Sequence, residues 1–284
     1  MKLKRLAILP ISLLLVGCTF PIDADKVGEV VSEILENHSE KVAEREITKV
    51  TINAYEESEK RQEGAKQISK TSMTASYDLD NHTFYTKEWV YTQEVDEEGD
   101  SIEEESYTER FVWVDDEDVY AAEKTVDVTE DEENGQYVLN VTSIDDLESQ
   151  IKSALLLGVA EANPTKYISH LANFDQDMYE TLTESLEDEE DDKYQISFGS
   201  NGDGSFSYST FSRSYSDVYH FVEAKSYYEA NNYLTSKVET LSTTVSSHYS
   251  DGGVHRIKEV LEFNFDSSTF SKPNIDDLEL VTSF

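Results

Sequence analysis

Over most of its length this chain alternates apolar with polar residues at a period of two. That restricts it to extended strands whose two faces differ in character. Val50, Ile52 and Ala54 begin the pattern, and Met73, Ala75, Tyr77 and Leu79 continue it. In the next run Tyr85, Trp89, Tyr91 and Val95 share one face while Phe84 and Val90 take the other. Tyr107, Phe111 and Trp113 share a side, followed by Tyr120, Ala122, Val126 and Val128, then Tyr137, Leu139 and Val141. Glu97-Glu98-Gly99-Asp100 and Asp131–Gly135 separate the runs at hairpin-like spacing, which predicts antiparallel neighbours. Alternation resumes at Tyr194, Ile196 and Phe198, turns at Asn201-Gly202-Asp203-Gly204 and continues through Phe206 and Tyr208. A long hairpin is predicted from Val218–Tyr228 and Tyr233–Tyr249 around Ala230-Asn231-Asn232. After Asp251-Gly252-Gly253 comes a strand carrying Ile257, Leu261, Phe263 and Phe265. The tail around Lys272-Pro273-Asn274-Ile275 is expected to dock back on the body.

Two stretches change period. Val27, Val30, Val31, Ile34, Leu35 and Val42 follow helical spacing over residues 25–43, with Asp23 or Asp25 available as a cap. In the middle, Ser143-x-x-Asp146 precedes a stripe of Ile144, Leu147, Ile151, Ala154, Leu155 and Val159. Asn163-Pro164 ends that helix and can start another. Glu187–Asp192 reads as a solvated acidic loop. The order is a helix, about five strands, a helical insertion and about five more strands. It predicts an α+β fold, a strongly curved antiparallel sheet or half-barrel with helices covering its concave face. One domain over residues 25–284 is expected.

The N-terminus bears on location. Lys2, Lys4 and Arg5 precede an apolar run from Leu6 to Val16, too short for a transmembrane helix and suited to a signal segment over residues 1–17. Leu15-Val16-Gly17-Cys18 closes it and resembles the lipobox of bacterial lipoproteins. The resemblance implies diacylglyceryl modification of Cys18, acyl chains such as palmitate, and attachment to the extracytoplasmic side of the cell membrane. More than one acyl chain is what stable anchoring needs. Residues 18–24 would then be a short tether. Cys18 is the only cysteine, so disulfides and thiolate metal sites are excluded from the folded part.

The whole chain has 23 basic and 60 acidic residues and a net charge of −37. So acidic a surface does not hold nucleic acid, because phosphate neutralisation needs Lys and Arg. It is also repelled by anionic membranes, which makes a covalent lipid the means of attachment. Seventeen Tyr and 11% aromatic residues argue for a folded chain in spite of the charge.

The element order is also similar to a superfamily of envelope proteins that includes periplasmic lipoprotein carriers and mycobacterial lipoproteins that carry triacylated lipids. The resemblance implies a bent sheet closed by helices around an apolar cavity for acyl chains. Tyr85, Trp89, Tyr91, Phe111 and Trp113 are candidate lining residues, with Leu155, beside Leu156 and Leu157, as a lid. The alternative is that these rings are core or surface, and Leu155 the packed side of a helix.

Chemistry is sparse. Nucleophile, zincin, phosphate-loop and dinucleotide motifs are absent, and no cofactor is implied. Carboxylate pairs carry no information among so many acids. His248, Asp251 and His255 bracket one turn, and a metal site is not expected there. Two functions are compatible with these features: a non-enzymatic binder of a hydrophobic ligand, or an envelope protein whose acidic, Tyr-rich surface binds a protein or cell-wall polymer without a cavity. They differ in whether a concave apolar interior exists.

Overall fold

The computed structural model describes residues 24–284 except 63, 174, 179, 181–192, 201–205, 216–217, 229–233 and 247–252. The expected signal segment over residues 1–17 and residues 18–23 of the expected tether, Cys18 among them, lie outside the described residues. So do the acidic loop, the Asn201–Gly204 turn, the Ala230–Asn232 turn, His248 and Asp251.

Helix α1 spans Ala24–Glu44. Six strands follow: β1 (Lys49–Gln62), β2 (Ala65–Asp78), β3 (Thr83–Val95), β4 (Ser101–Asp115), β5 (Asp118–Asp127) and β6 (Glu132–Leu139). Helix α2 (Ile144–Glu161) starts where Ser143 accepts a hydrogen bond from the Asp146 backbone N–H, satisfying a donor the helix leaves open. Pro164 follows it, and a single turn, α3 (Thr165–Ile168), resumes the helix. The second set is β7 (Lys193–Ser200), β8 (Phe206–Tyr215), β9 (Val218–Tyr228), β10 (Thr235–Ser246) and β11 (Gly253–Phe265). A two-residue strand, β12 (Glu279–Leu280), lies near the C-terminus.

All twelve strands form one sheet in the order β12-β6-β5-β4-β3-β2-β1-β11-β10-β9-β8-β7. Two meanders meet at its centre, where β1 runs antiparallel to β11 from Val50↔Phe265 to Arg61↔Val254. The helical segment carries the chain from the β6 side of the sheet to the far edge, β7. The tail then returns to place β12 parallel to β6.

The expected α+β half-barrel is overturned. Strand predominates, and the sheet is open, neither closed nor strongly curled. Strong curvature needs bulges or glycine kinks at repeated positions. Among the described pairings one register irregularity occurs, between Thr235 and Lys237. Long strands whose register runs on without a break therefore propagate a broad sheet rather than a cup.

Side-chain parity gives the sheet two unlike faces. On one, Val50, Val119, Phe263 and Phe265 pack against Leu147, Ile151 and Leu155 of α2. Gly158 faces Val50 and Ile52, at a separation where a Cβ would make ordinary van der Waals contact with both. Burial of one such aliphatic side chain contributes about 1.5–3 kcal/mol. On the other face Phe111, Trp113 and Ala122 form a second cluster with Phe270, Ile275 and Leu278 of the tail. Both clusters sit at the same end of the strands. Toward the other end, β1 from Ala54 onward, β2 up to Thr74, β3 from Phe84 onward and β4 up to Arg110 contain no fully buried residue among those described.

Candidate functional site: the aromatic face

The candidate ligand residues separate onto opposite sides of the sheet. Tyr85, Trp89, Tyr91, Phe111 and Trp113 share the face turned away from α2, because Tyr85 pairs with Phe111 and both strands alternate regularly. Leu155 is buried on the other side, in the helix core. Leu156 and Leu157 are 71% and 66% exposed, so they cover nothing. No cavity can form between these rings and the helix, because the sheet backbone lies between them. This corrects the expected lid and lining.

What covers part of the aromatic face is the C-terminal tail, a strap that passes across the strands from β1 to β6. The Thr51 hydroxyl donates to the Ser267 carbonyl at 3.2 Å, and the Thr269 N–H donates to the Ser76 hydroxyl at 3.0 Å. Phe270 meets Phe111 edge-on with centroids 6.4 Å apart. Lys272 pairs with Asp115 and lies over the Trp113 ring. The tip of the Leu278 side chain fills the space that a Cβ on residue 135 would take. The Val281 N–H donates to the Tyr137 carbonyl at 2.9 Å. Under this strap Trp113 is 2% exposed and stacked on Tyr120. It belongs to the core rather than to a site.

Beyond the strap the face is open, and its register places residues in straight rows across the strands. The first row beside the strap reads Tyr227–Lys237–Glu262–Asn53–Thr74–Lys87–Glu109–Lys124–Gly135 from β9 to β6. The next reads Lys225–Glu239–Val260–Tyr55–Ser72–Trp89–Tyr107–Val126–Glu133. A third contains Lys258–Glu57–Lys70–Tyr91–Glu105. Two shallow clefts lie along these rows. One of about 340 Å³ has Tyr85, Glu109, Lys124 and Glu133 on the sheet side and Ser271–Asn274 on the strap side. The other, about 280 Å³, lies over β1, β2, β10 and β11 around Tyr55.

The rings are held by charged neighbours. Trp89 Nε1 donates to Glu105 at 2.9 Å, the Tyr85 hydroxyl to Glu109 at 2.7 Å and the Tyr55 hydroxyl to Glu57 at 2.9 Å. Lys87 lies over the Tyr107 ring at 4.3 Å, an attraction of cation for ring face. Trp89 and Tyr91 are parallel, 6.2 Å apart. Burial, then the adjacent Glu57 carboxylate, pushes the Tyr55 phenol up to about 12. Burial and Glu109 do the same in direction for Tyr85. A hydrogen bond from Lys237 holds the Glu239 carboxyl below the usual range.

The opposite face of the same strands is different. There Glu56 stands directly across from Glu259, and Glu88, Glu94 and Glu104 add to the charge. Lysines therefore collect on the aromatic face and balance its carboxylates, whereas the reverse side stays acidic. Sequence reasoning missed Lys87, Glu109, Lys124, Lys237, Glu239 and Lys258. Strand parity marks Lys87 as a neighbour of Tyr85 and Trp89, but which strands stand side by side across the centre is not readable from parity.

Among the described residues no group of His, Asp and Glu is arranged to hold a metal ion. His255 instead lies 3.1 Å from the Ser58 hydroxyl. No described helix is long and apolar enough to cross a membrane. No protein-family model and no curated protein matches this chain.

Proposed function

We propose that this chain is a lipid-anchored extracytoplasmic lipoprotein. It catalyses no reaction and presents the aromatic face of its sheet to a partner in the cell envelope. The supporting observation is that Tyr55, Trp89, Tyr91 and Tyr107 stay only half-buried on the side of the sheet away from α2. A carrier of acyl chains needs an enclosed apolar interior, as ligand sites generally bury most of their ligand. The open sheet offers rows of mixed aromatic and charged side chains instead. Anchoring through Cys18 follows from the lipobox-like Leu15-Val16-Gly17-Cys18. It places this face near the envelope without requiring contact between acidic protein and anionic headgroups.

Two measurements test this reading. Labelled palmitate should enter the wild-type chain and not the Cys18→Ser variant, which should leave the membrane fraction. Purified protein should bind envelope fragments of its own cell, and the double change Trp89→Ala/Tyr107→Ala should abolish that binding while the unfolding midpoint stays close to wild type. Undiminished binding by the double variant would remove the face from consideration.

A further inference from the structure

We infer that the open rows beside the C-terminal strap form a channel for a neutral, polyhydroxylated chain: a glycan strand lying across the β-strands. This rests on the reading of the aromatic face as the binding surface and names its occupant.

The backbone of a sheet interior is fully committed to its own ladder, so a ligand on the face meets side chains only. Peptides that pair with sheets do so at edges, through free main-chain groups. A face ligand must therefore be recognised by ring faces and by the heads of Lys and Glu. The row nearest the strap alternates sign, with Lys237 against Glu262 and Lys87 against Glu109, which in turn faces Lys124. A polymer of one charge sign would meet a like charge at every second cationic or anionic position, a repulsive arrangement. Polyanions are further disfavoured by the −37 net charge of the chain. Hydroxyl groups both donate and accept, so they satisfy Lys and Glu alternately with no net charge. The apolar faces of sugar rings match Tyr55 and Trp89 in the second row.

The dimensions agree with an extended ligand. The cleft over β1, β2, β10 and β11 and the cleft over β3–β6 share the row nearest the strap, through Lys237, Glu262, Asn53 and Thr74 in one and Glu109 and Lys124 in the other. Trp89 stands between them in the second row. From β10 to β6 the rows cross seven strand spacings, roughly 34 Å. The strap forms one bank of the channel through Ser271, Lys272, Pro273 and Asn274. The rings on the floor are fixed by bonds from Trp89 to Glu105 and from Tyr55 to Glu57, which lowers the ordering cost of binding.

The experiment uses the full chain in a polyoxyethylene detergent free of sugar, with chitohexaose as the neutral probe. Oligogalacturonate and polylysine serve as charged comparators, and binding is followed by calorimetry. Chitohexaose should bind, with an affinity that changes little between low and high salt because no ions are released on binding. Trp89→Ala and Tyr55→Ala should each weaken it at least about tenfold, as expected when an aromatic anchor is truncated. Arg110→Ala, on the opposite face, should leave it unchanged. Absence of heat with chitohexaose, or preference for either charged comparator, overturns the inference. In parallel, binding to envelope fragments is measured before and after protease or muramidase treatment. Trp89-dependent binding lost to protease and kept after muramidase means a protein occupant. That outcome overturns the glycan and leaves the face as the binding surface. Binding indifferent to Trp89→Ala/Tyr107→Ala overturns both.

Discussion

At one end the central strands are covered on both sides, by α2 and by the strap. Toward the other end the same strands are covered on neither. The covered end holds Val50, Ile151, Trp113 and Phe263, all below 5% exposed, and resembles the interior of any small domain. The open end is a single layer in which cross-strand pairs take over. Glu57 faces Lys70, Glu109 bonds Tyr85, and Gln67 bonds Glu94 at 3.0 Å. Such pairs contribute roughly 0.2–1 kcal/mol each. Hydrophobic burial therefore anchors one end, and the continuous ladder extends order from there into a region whose side chains remain available for contact.

The largest expected effects fall at the covered end. Ile151→Ala and Trp113→Ala should each cost about 2–5 kcal/mol in chemical denaturation, through lost burial and a residual cavity. Trp89→Ala should cost less than about 1 kcal/mol. Equal losses at the two ends would erase the distinction between them. Next in size, Phe270→Ala should destabilise by roughly 1–2 kcal/mol and raise hydrogen exchange in β5 and β6, because the strap loses its ring contact with Phe111.

Alkaline pH probes the open end. The Tyr55 phenol is raised from its ordinary 10.0 to about 12, so the folded chain keeps a proton that the unfolded chain gives up. Its contribution is complete below pH 10 and falls as pH rises from there toward 12. Tyr55→Phe should flatten the loss of stability over that window in denaturation titrations. The smallest effect belongs to the exposed Arg110–Glu123 pair. Arg110→Ala should change stability by no more than about 1 kcal/mol, less at high salt.

Much of the local structure was legible in the chain. The spacing of Val31 and Val42 and the Ser143 cap located the helices. Parity at Tyr85, Trp89 and Tyr91 against Phe84 and Val90 assigned strand faces. What parity cannot give is which layer covers which face. Leu155 and Trp89 are equally apolar in the sequence, yet the crossover from β6 to β7 sends α2 to the side of Val50, and the tail takes the other. Curvature is hidden in the sequence for a related reason. Element order is shared by cups and flat sheets, and the difference lies in the rarity of bulges along the strands. Parity alone cannot join Lys258 to Glu57 across the centre, where the strands are far apart in sequence, whereas Lys87 with Glu109 and Lys70 with Glu57 are hairpin neighbours whose pairing needs the register.

The chain has two tryptophans, one in each region, and quenching of their fluorescence by acrylamide tests the account most directly. Trp113→Phe leaves Trp89 as reporter and breaks no hydrogen bond of the buried indole N–H, which has no acceptor among the described atoms. Trp89→Phe leaves Trp113. The account predicts ready quenching of Trp89, reduced when envelope glycan is added, and strong protection of Trp113 under the strap. Equal protection of both would place Trp89 in an enclosed interior and contradict an open aromatic face.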